Sequence, residues 1–172
     1  ERFAFHWERA RHPTVARDVL RFSVRAAAVG RKQGRALRLV ILLDESRSMA
    51  RSNRTALAQK ALSGLAKQLT ARDRVSVVTF SGQVRLRLDN LSGDQLGKAL
   101  GKLGTLVPEG ATNLEEALNL AYATARRHYL PEGTNRLILF TDGAANRGEL
   151  VPQSLKGKVD DQRRRGIALD CF

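Results

Sequence analysis

Hydrophobic and polar positions change rhythm along this chain, and the changes mark its elements. Leu39-Val40-Ile41-Leu42-Leu43 is an unbroken apolar run, the pattern of a strand buried on both faces. Ala58, Ala61, Leu62, Leu65, Ala66 and Leu69 then recur at helical spacing and predict an amphipathic helix. Val75–Phe80 predicts a second strand, and Ser81-Gly82 a tight turn. Val84, Leu86 and Leu88 alternate with Arg85 and Arg87, which predicts an antiparallel edge strand whose charges discourage edge pairing. A short helix is expected over Asp94–Leu103. A longer one follows Thr112, with Leu114, Ala117, Leu118, Ala121, Tyr122 and Ala125 as its apolar stripe. Leu137–Phe140 predicts another buried strand, Ser154–Arg165 a polar helix, and Ile167–Phe172 a last strand. Strands alternating with helices give an α/β fold: a doubly wound, mostly parallel sheet with helices on both faces. Right-handed crossovers put the strands in the order 3-2-1-4-5, with Leu39–Leu43 central.

Residues 1–36 follow a different pattern. Leu20, Phe22 and Val24 alternate with Arg21, Ser23 and Arg25, as in a strand with one wet face. Phe3, Phe5 and Trp7 are expected to pack this segment as a flap against a domain of residues 37–172. Gly30–Gly34 reads as a turn.

Composition narrows the class. The 172 residues are 42% hydrophobic and 27% charged, a globular balance that excludes disorder, collagen and coiled coil. No apolar run is long enough for a membrane-spanning helix. Cys171 is the single cysteine, which excludes an internal disulfide framework and a cysteine-rich zinc site. The start at Glu1 is read as that of an excerpt or processed product, so compartment is not taken from the ends. Net charge is +13, and residues 1–38, with 10 basic and 3 acidic residues, hold +7 of it. Such a balance suits acidic partners, anionic membranes or nucleic acid. The basic residues are mostly scattered arginines and aromatics are only 5%, so stacking on bases has little support.

Three polar clusters fall on loops where open α/β sheets place ligands, outside the carboxyl ends of strands. They are Asp44-Glu45-Ser46-Arg47-Ser48, Gly110-Ala111-Thr112-Asn113 and Thr141-Asp142-Gly143. Together they offer carboxylates and hydroxyls, a hard-oxygen set suited to Mg²⁺ or Ca²⁺ rather than zinc. Ser46, Ser48 and Thr112 are the neutral donors, and Asp44 and Asp142 balance the ion's charge, directly or through water. Neutral direct ligands leave the ion electrophilic and ready for an external carboxylate. Each cluster also has a plainer reading. Asp44 and Ser46 suit turn hydrogen bonds, Thr112 with Glu115 suits a capping box, and Asp142-Gly143 is a common turn pair. His6, His12 and His128 lack zinc-ligand spacing. Cys171 is expected as a core thiol, and Arg163-Arg164-Arg165 as a solvated helix end.

Asp44-x-Ser46-x-Ser48-Met49, Gly110-Ala111-Thr112-Asn113-Leu114 and Thr141-Asp142-Gly143 resemble the metal-ion-dependent adhesion site of von Willebrand factor type A domains. The likeness covers about Leu37 to Phe172. Arg72–Phe80 looks like the family's second strand, and Tyr129–Gly148 and the flap look most like bacterial, often envelope-associated members. The resemblance implies a Rossmann-like domain that binds Mg²⁺, with Mn²⁺ or Ca²⁺ as alternatives, and through it an acidic side chain of a partner protein. It implies Ser46, Ser48 and Thr112 in direct contact with the ion, and Asp44 and Asp142 often through water. Arg47 stands where the family usually has Gly: it either crowds the metal or helps capture the acidic partner. A family domain also continues with one more helix and strand, so the chain is expected to be truncated at its C-terminal end.

Three function classes follow. The first is a metal-dependent protein-interaction module, or its variant as a regulatory subunit of a chelatase-like machine. The second is a metal-dependent hydrolase using Asp44 and Asp142, and the third a basic nucleic-acid binder. No G-x-S-x-G elbow, P-loop or paired D-x-D occurs and no general base stands out, so the chain is read as a binding module and not an enzyme.

Overall fold

The computed structural model describes residues 3–11, 18–26, 35–51, 54–102, 113–142 and 152–172. It divides into two compact units, Glu1–Arg35 and Ala36–Phe172. The first holds an antiparallel pair, β1 (Phe3–Arg11) and β2 (Asp18–Ala26). Its register sets Phe5 opposite Val24, Trp7 opposite Phe22 and Arg9 opposite Leu20. The sequence reading found β2 and missed that Phe3–Arg11 is itself a strand. The expected Gly30–Gly34 turn lies outside the described residues.

In the second unit, β3 (Leu37–Asp44) is followed by the short helix α1 (Arg47–Arg51), α2 (Arg54–Ala66), β4 (Arg74–Phe80) and β5 (Val84–Ser92). A 3-10 turn over Gly93–Gln95 leads into α3 (Leu96–Lys102). Then come α4 (Leu114–Arg127), β6 (Thr134–Phe140), α5 (Pro152–Arg164) and β7 (Ile167–Cys171). The sheet order is β5-β4-β3-β6-β7, parallel except for the antiparallel β4–β5 pair. This is the expected order, with the apolar run at its centre.

Alternation along β3 divides the core between two helical layers. Val40 and Leu42 join Ala117, Ala121, Leu137 and Ile167 on the side of α4. Leu39, Ile41 and Leu43 join Leu62, Val75, Val77 and Leu96 on the side of α2 and α3. Residues from Leu39 to Leu43 are at most 5% exposed, so all five are worth about their full transfer free energy, ~1.5–3 kcal/mol each.

The α4 stripe is as expected: Ala117, Leu118, Ala121, Tyr122 and Ala125 are all buried. The α2 stripe is narrower than expected. The helix stops at Ala66, Ala58 and Leu62 are its buried residues, and Ala61 is exposed. Leu69 is buried, but from the turn beyond the helix. Cys171 is a second correction. It is exposed, because β7 is the edge strand and Cys171 is its last residue. Arg163 and Arg164 do form an exposed, basic last turn of α5, paired with Asp160 and Asp161.

Two joints hold the end of the sheet remote from the site. Asp73 is fully buried, and its carboxylate accepts from Leu37 N (2.9 Å), Thr70 N (2.8 Å) and Thr70 Oγ1 (2.9 Å). Gly93 donates its N–H to Asp73 O at 3.0 Å, and a Cβ on Gly93 would lie 2.7 Å from Thr70 O. That backbone contact leaves room only for glycine.

Candidate metal centre

The strands β3 and β6 are parallel neighbours, so the loops leaving their carboxyl ends open on the same edge of the sheet. Asp44 closes β3 and is 2% exposed. Its Oδ1 accepts from Ser46 N at 2.8 Å, the expected turn bond. Its Oδ2 accepts from Thr141 Oγ1 at 2.7 Å, a bond across 97 positions that joins the first cluster to the third. Ser46 Oγ and Ser48 Oγ lie 2.9 Å apart, so the two hydroxyls converge. Arg47, between them in sequence, is exposed.

Asp142 follows Thr141, and its carboxylate is 4% accessible. Arg54 Nη1 donates to Asp142 Oδ2 at 2.6 Å. Arg54 is the first residue of α2 and was not singled out by the sequence, because its partner is 88 positions away.

The middle cluster is described only from Asn113. Gly110, Ala111 and Thr112 lie outside the described residues, as does Gly143. The α4 cap falls one residue later than expected. Asn113 is the N-cap: its Oδ1 accepts from Glu116 N at 3.2 Å and its Nδ2 donates to Glu116 Oε2 at 2.8 Å. Asn113 and Glu116 are thus paired reciprocally; the expected partner of Glu115, Thr112, lies outside the described residues. Glu115 meets Lys158 Nζ at 2.5 Å.

Backbone bonds tie these loops together. Glu45 N donates to Phe80 O at 2.9 Å, and Asn113 N to Ser81 O at 3.3 Å. The loop after β3 and the start of α4 are thus both fastened to the end of β4.

Beside Asp142 lies a groove of about 440 Å³, walled by Met49, Leu57, Ala58, Phe140 and Phe172. Phe140 and Phe172 stack with ring centroids 5.8 Å apart.

The donor chemistry tests what the site can hold. Among the described residues, no three His, Cys, Asp or Glu side chains gather in a way that could hold a metal. The hydroxyls of Ser46, Ser48 and Thr141 are the hard-oxygen donors near Asp44. Zinc is disfavoured by this set and a hard divalent ion suits it.

A sequence profile of the von Willebrand factor type A domain matches residues 39–144, more than half of the chain. The chain belongs to the von Willebrand factor type A family. YfbK from Escherichia coli K12 is 34% identical over 171 residues, covering 99% of this chain and 30% of that protein. Inter-alpha-trypsin inhibitor heavy chain H4 from Sus scrofa is 28% identical over 140 residues, covering 78% of this chain and 15% of that protein. The chain thus spans less than a third of the length of these two curated relatives.

Among solved structures, BatB from Bacteroides thetaiotaomicron superposes with a TM-score of 0.60 at 24% identity, over 78% of this chain and 65% of that one. A von Willebrand factor type A protein from Catenulispora acidiphila gives 0.61 at 20% identity, over 98% of this chain and 39% of that one. These likenesses establish the Rossmann-like fold of the type A domain. Domains of this family are in general protein-interaction modules, and they often bind a divalent metal.

Away from this edge, Asp89 on β5 meets Arg127 Nη2 at 2.7 Å and His128 Nε2 at 2.9 Å. Burial works against its charged form, but the His128 hydrogen bond and the charges of His128 and Arg127 outweigh that and hold the carboxyl below its usual value. The pair clips the end of α4 to the edge strand, a packing role for His128.

Proposed function

We propose that this type A domain is a metal-dependent protein-interaction module, not an enzyme, and that its metal-ion-dependent adhesion site captures an acidic side chain of a partner. The observation that carries the reading is the convergence of Ser46 Oγ and Ser48 Oγ beside the buried Asp44, whose carboxylate is clamped by Ser46 N and Thr141 Oγ1. Ser46, Ser48 and Thr112 would hold Mg²⁺ directly, Thr112 being assigned from the family motif. Asp44 and Asp142 would supply the balancing charge, directly or through water. Bound Mg²⁺ supplies a Lewis-acidic position for an external carboxylate. The chain's own residues do the rest. Thr141 and the Ser46 amide orient Asp44, and the exposed Arg47 adds a charge-assisted contact to an incoming Asp or Glu. The +13 net charge steers such a partner inward, so its on-rate falls with salt.

The test has two parts. Calorimetric titration with Mn²⁺ compares wild type with Asp44→Ala, and equal heats would refute the site. Pull-down from native extract with and without EDTA then reads partner binding. Partner binding that survives EDTA and is lost with Arg→Ala changes in residues 1–38 would move the interface to the basic N-terminal segment.

A further inference from the structure

We propose that Arg54 is an internal counter-cation of this site, which competes with a divalent ion for the Asp142 carboxylate and so sets the concentration at which the site loads. The inference rests on the metal reading above.

The two site carboxylates are held differently. Asp44 takes its hydrogen bonds from neutral donors, the Ser46 amide and the Thr141 hydroxyl. Asp142 faces a full positive charge, Arg54 Nη1 at 2.6 Å from Oδ2. The accessibilities of that pair are lopsided, 47% for the Arg54 side chain and 4% for that of Asp142. The carboxylate is sheltered, and the guanidinium reaches it from the wet side on a long, flexible stem. Arg54 starts α2, so its arm can swing into solvent without disturbing the helix. The more exposed member, Arg54, is the one free to move into solvent.

Charge decides which ions displace the arm. A monovalent cation offers Asp142 the same single charge that the guanidinium supplies, without its directed hydrogen bond. A divalent ion adds a charge and is shared with Asp44 and the hydroxyls. The arrangement therefore disfavours Na⁺ and K⁺ and admits divalent ions above a threshold. Competition is reciprocal: whatever strengthens the Arg54–Asp142 pair weakens the ion by the same factor.

The test titrates the 172-residue chain with Mn²⁺, read by the loss of the free-ion paramagnetic resonance signal, at constant ionic strength. Wild type is compared with Arg54→Gln, Arg54→Met and Arg54→Lys. The neutral variants should bind Mn²⁺ about fivefold tighter or more, and Arg54→Lys should stay near wild type. Added Na⁺ should weaken Mn²⁺ binding more in the neutral variants than in wild type. A second readout needs no bound metal: in EDTA the neutral variants should melt below wild type, and saturating Mg²⁺ should narrow the gap. Wild-type Mn²⁺ binding that is unchanged or weakened in both neutral variants would overturn the proposal, because Arg54 would then only hold Asp142 in place. No Mn²⁺ binding in any of the four proteins would overturn the metal reading itself, and this inference with it.

Discussion

Asp73→Ala removes the acceptor for three hydrogen bonds at the start of β3 and β4, and its cost can be worked from the structure. The carboxylate binds Leu37 N, Thr70 N and Thr70 Oγ1, all within 2.9 Å, and is itself fully buried. Hydrogen bonds to a charged group are worth ~1.5–3 kcal/mol each, and the lower end applies here because part-buried donors regain some solvation from water. Three such bonds give a loss of about 4.5 kcal/mol, a large share of the ~5–15 kcal/mol that stabilises a domain. Asp73→Asn keeps one carbonyl oxygen but turns an amide N–H₂ toward the remaining donors, so about half of that loss, ~2 kcal/mol, is expected. Urea unfolding at 25 °C reads both variants, with the midpoint falling and the slope unchanged. Asp73 secures the Leu37 end of β3 and Asp44 lies at the other end, so Mn²⁺ affinity of the folded variants should match wild type. A loss below about 1 kcal/mol for Asp73→Ala would refute the claim that this carboxylate anchors the sheet.

Asp89 gives a prediction in pH. Its carboxyl is held below its usual value in the fold, so its contribution is present above the unfolded-state value, about 3.9, and is lost as pH falls through the folded value. The melting-temperature gap between wild type and Asp89→Asn should therefore narrow as pH falls below about 5 and on through the folded value. Gly93→Ala forces a Cβ to within 2.7 Å of Thr70 O and 2.9 Å of the Asp73 and Leu69 Cβ atoms; a loss of about 1–3 kcal/mol in urea unfolding is expected.

The sheet was legible because its signals are periodic and local. The Leu39–Leu43 run and the Leu114–Ala125 stripe each identify their element without reference to anything distant. Misreadings arose where an element's end depends on its neighbours. Leu69 continues the α2 period, but the chain has already turned to bury it from a loop. Thr112 and Glu115 have capping-box spacing, yet Asn113 takes the cap, because its N–H is fixed to Ser81 O and its side chain meets Glu116. The Asp44, Ser46 and Ser48 cluster could be read as a unit because it lies within five residues. Arg54–Asp142 and Asp44–Thr141 could not, since pairs 88 and 97 positions apart exist only once β3 and β6 lie side by side. Asp73, between Arg72 and Arg74, looks like part of a solvated charge run until the Thr70 and Leu37 donors close on it.

The fastening of the site loops by Glu45 N to Phe80 O and Asn113 N to Ser81 O has an evolutionary consequence. Both tethers are main-chain groups that every residue but proline can supply, so these two fastenings do not depend on which side chains stand at Glu45 and Asn113. Position 47 can then drift between glycine and arginine, and the walls of the neighbouring groove can be exchanged, while the loops keep their places. Partner choice becomes a trait that varies by substitution on a fixed chassis. Proline at Glu45 or Asn113 is the change that such drift would have to avoid.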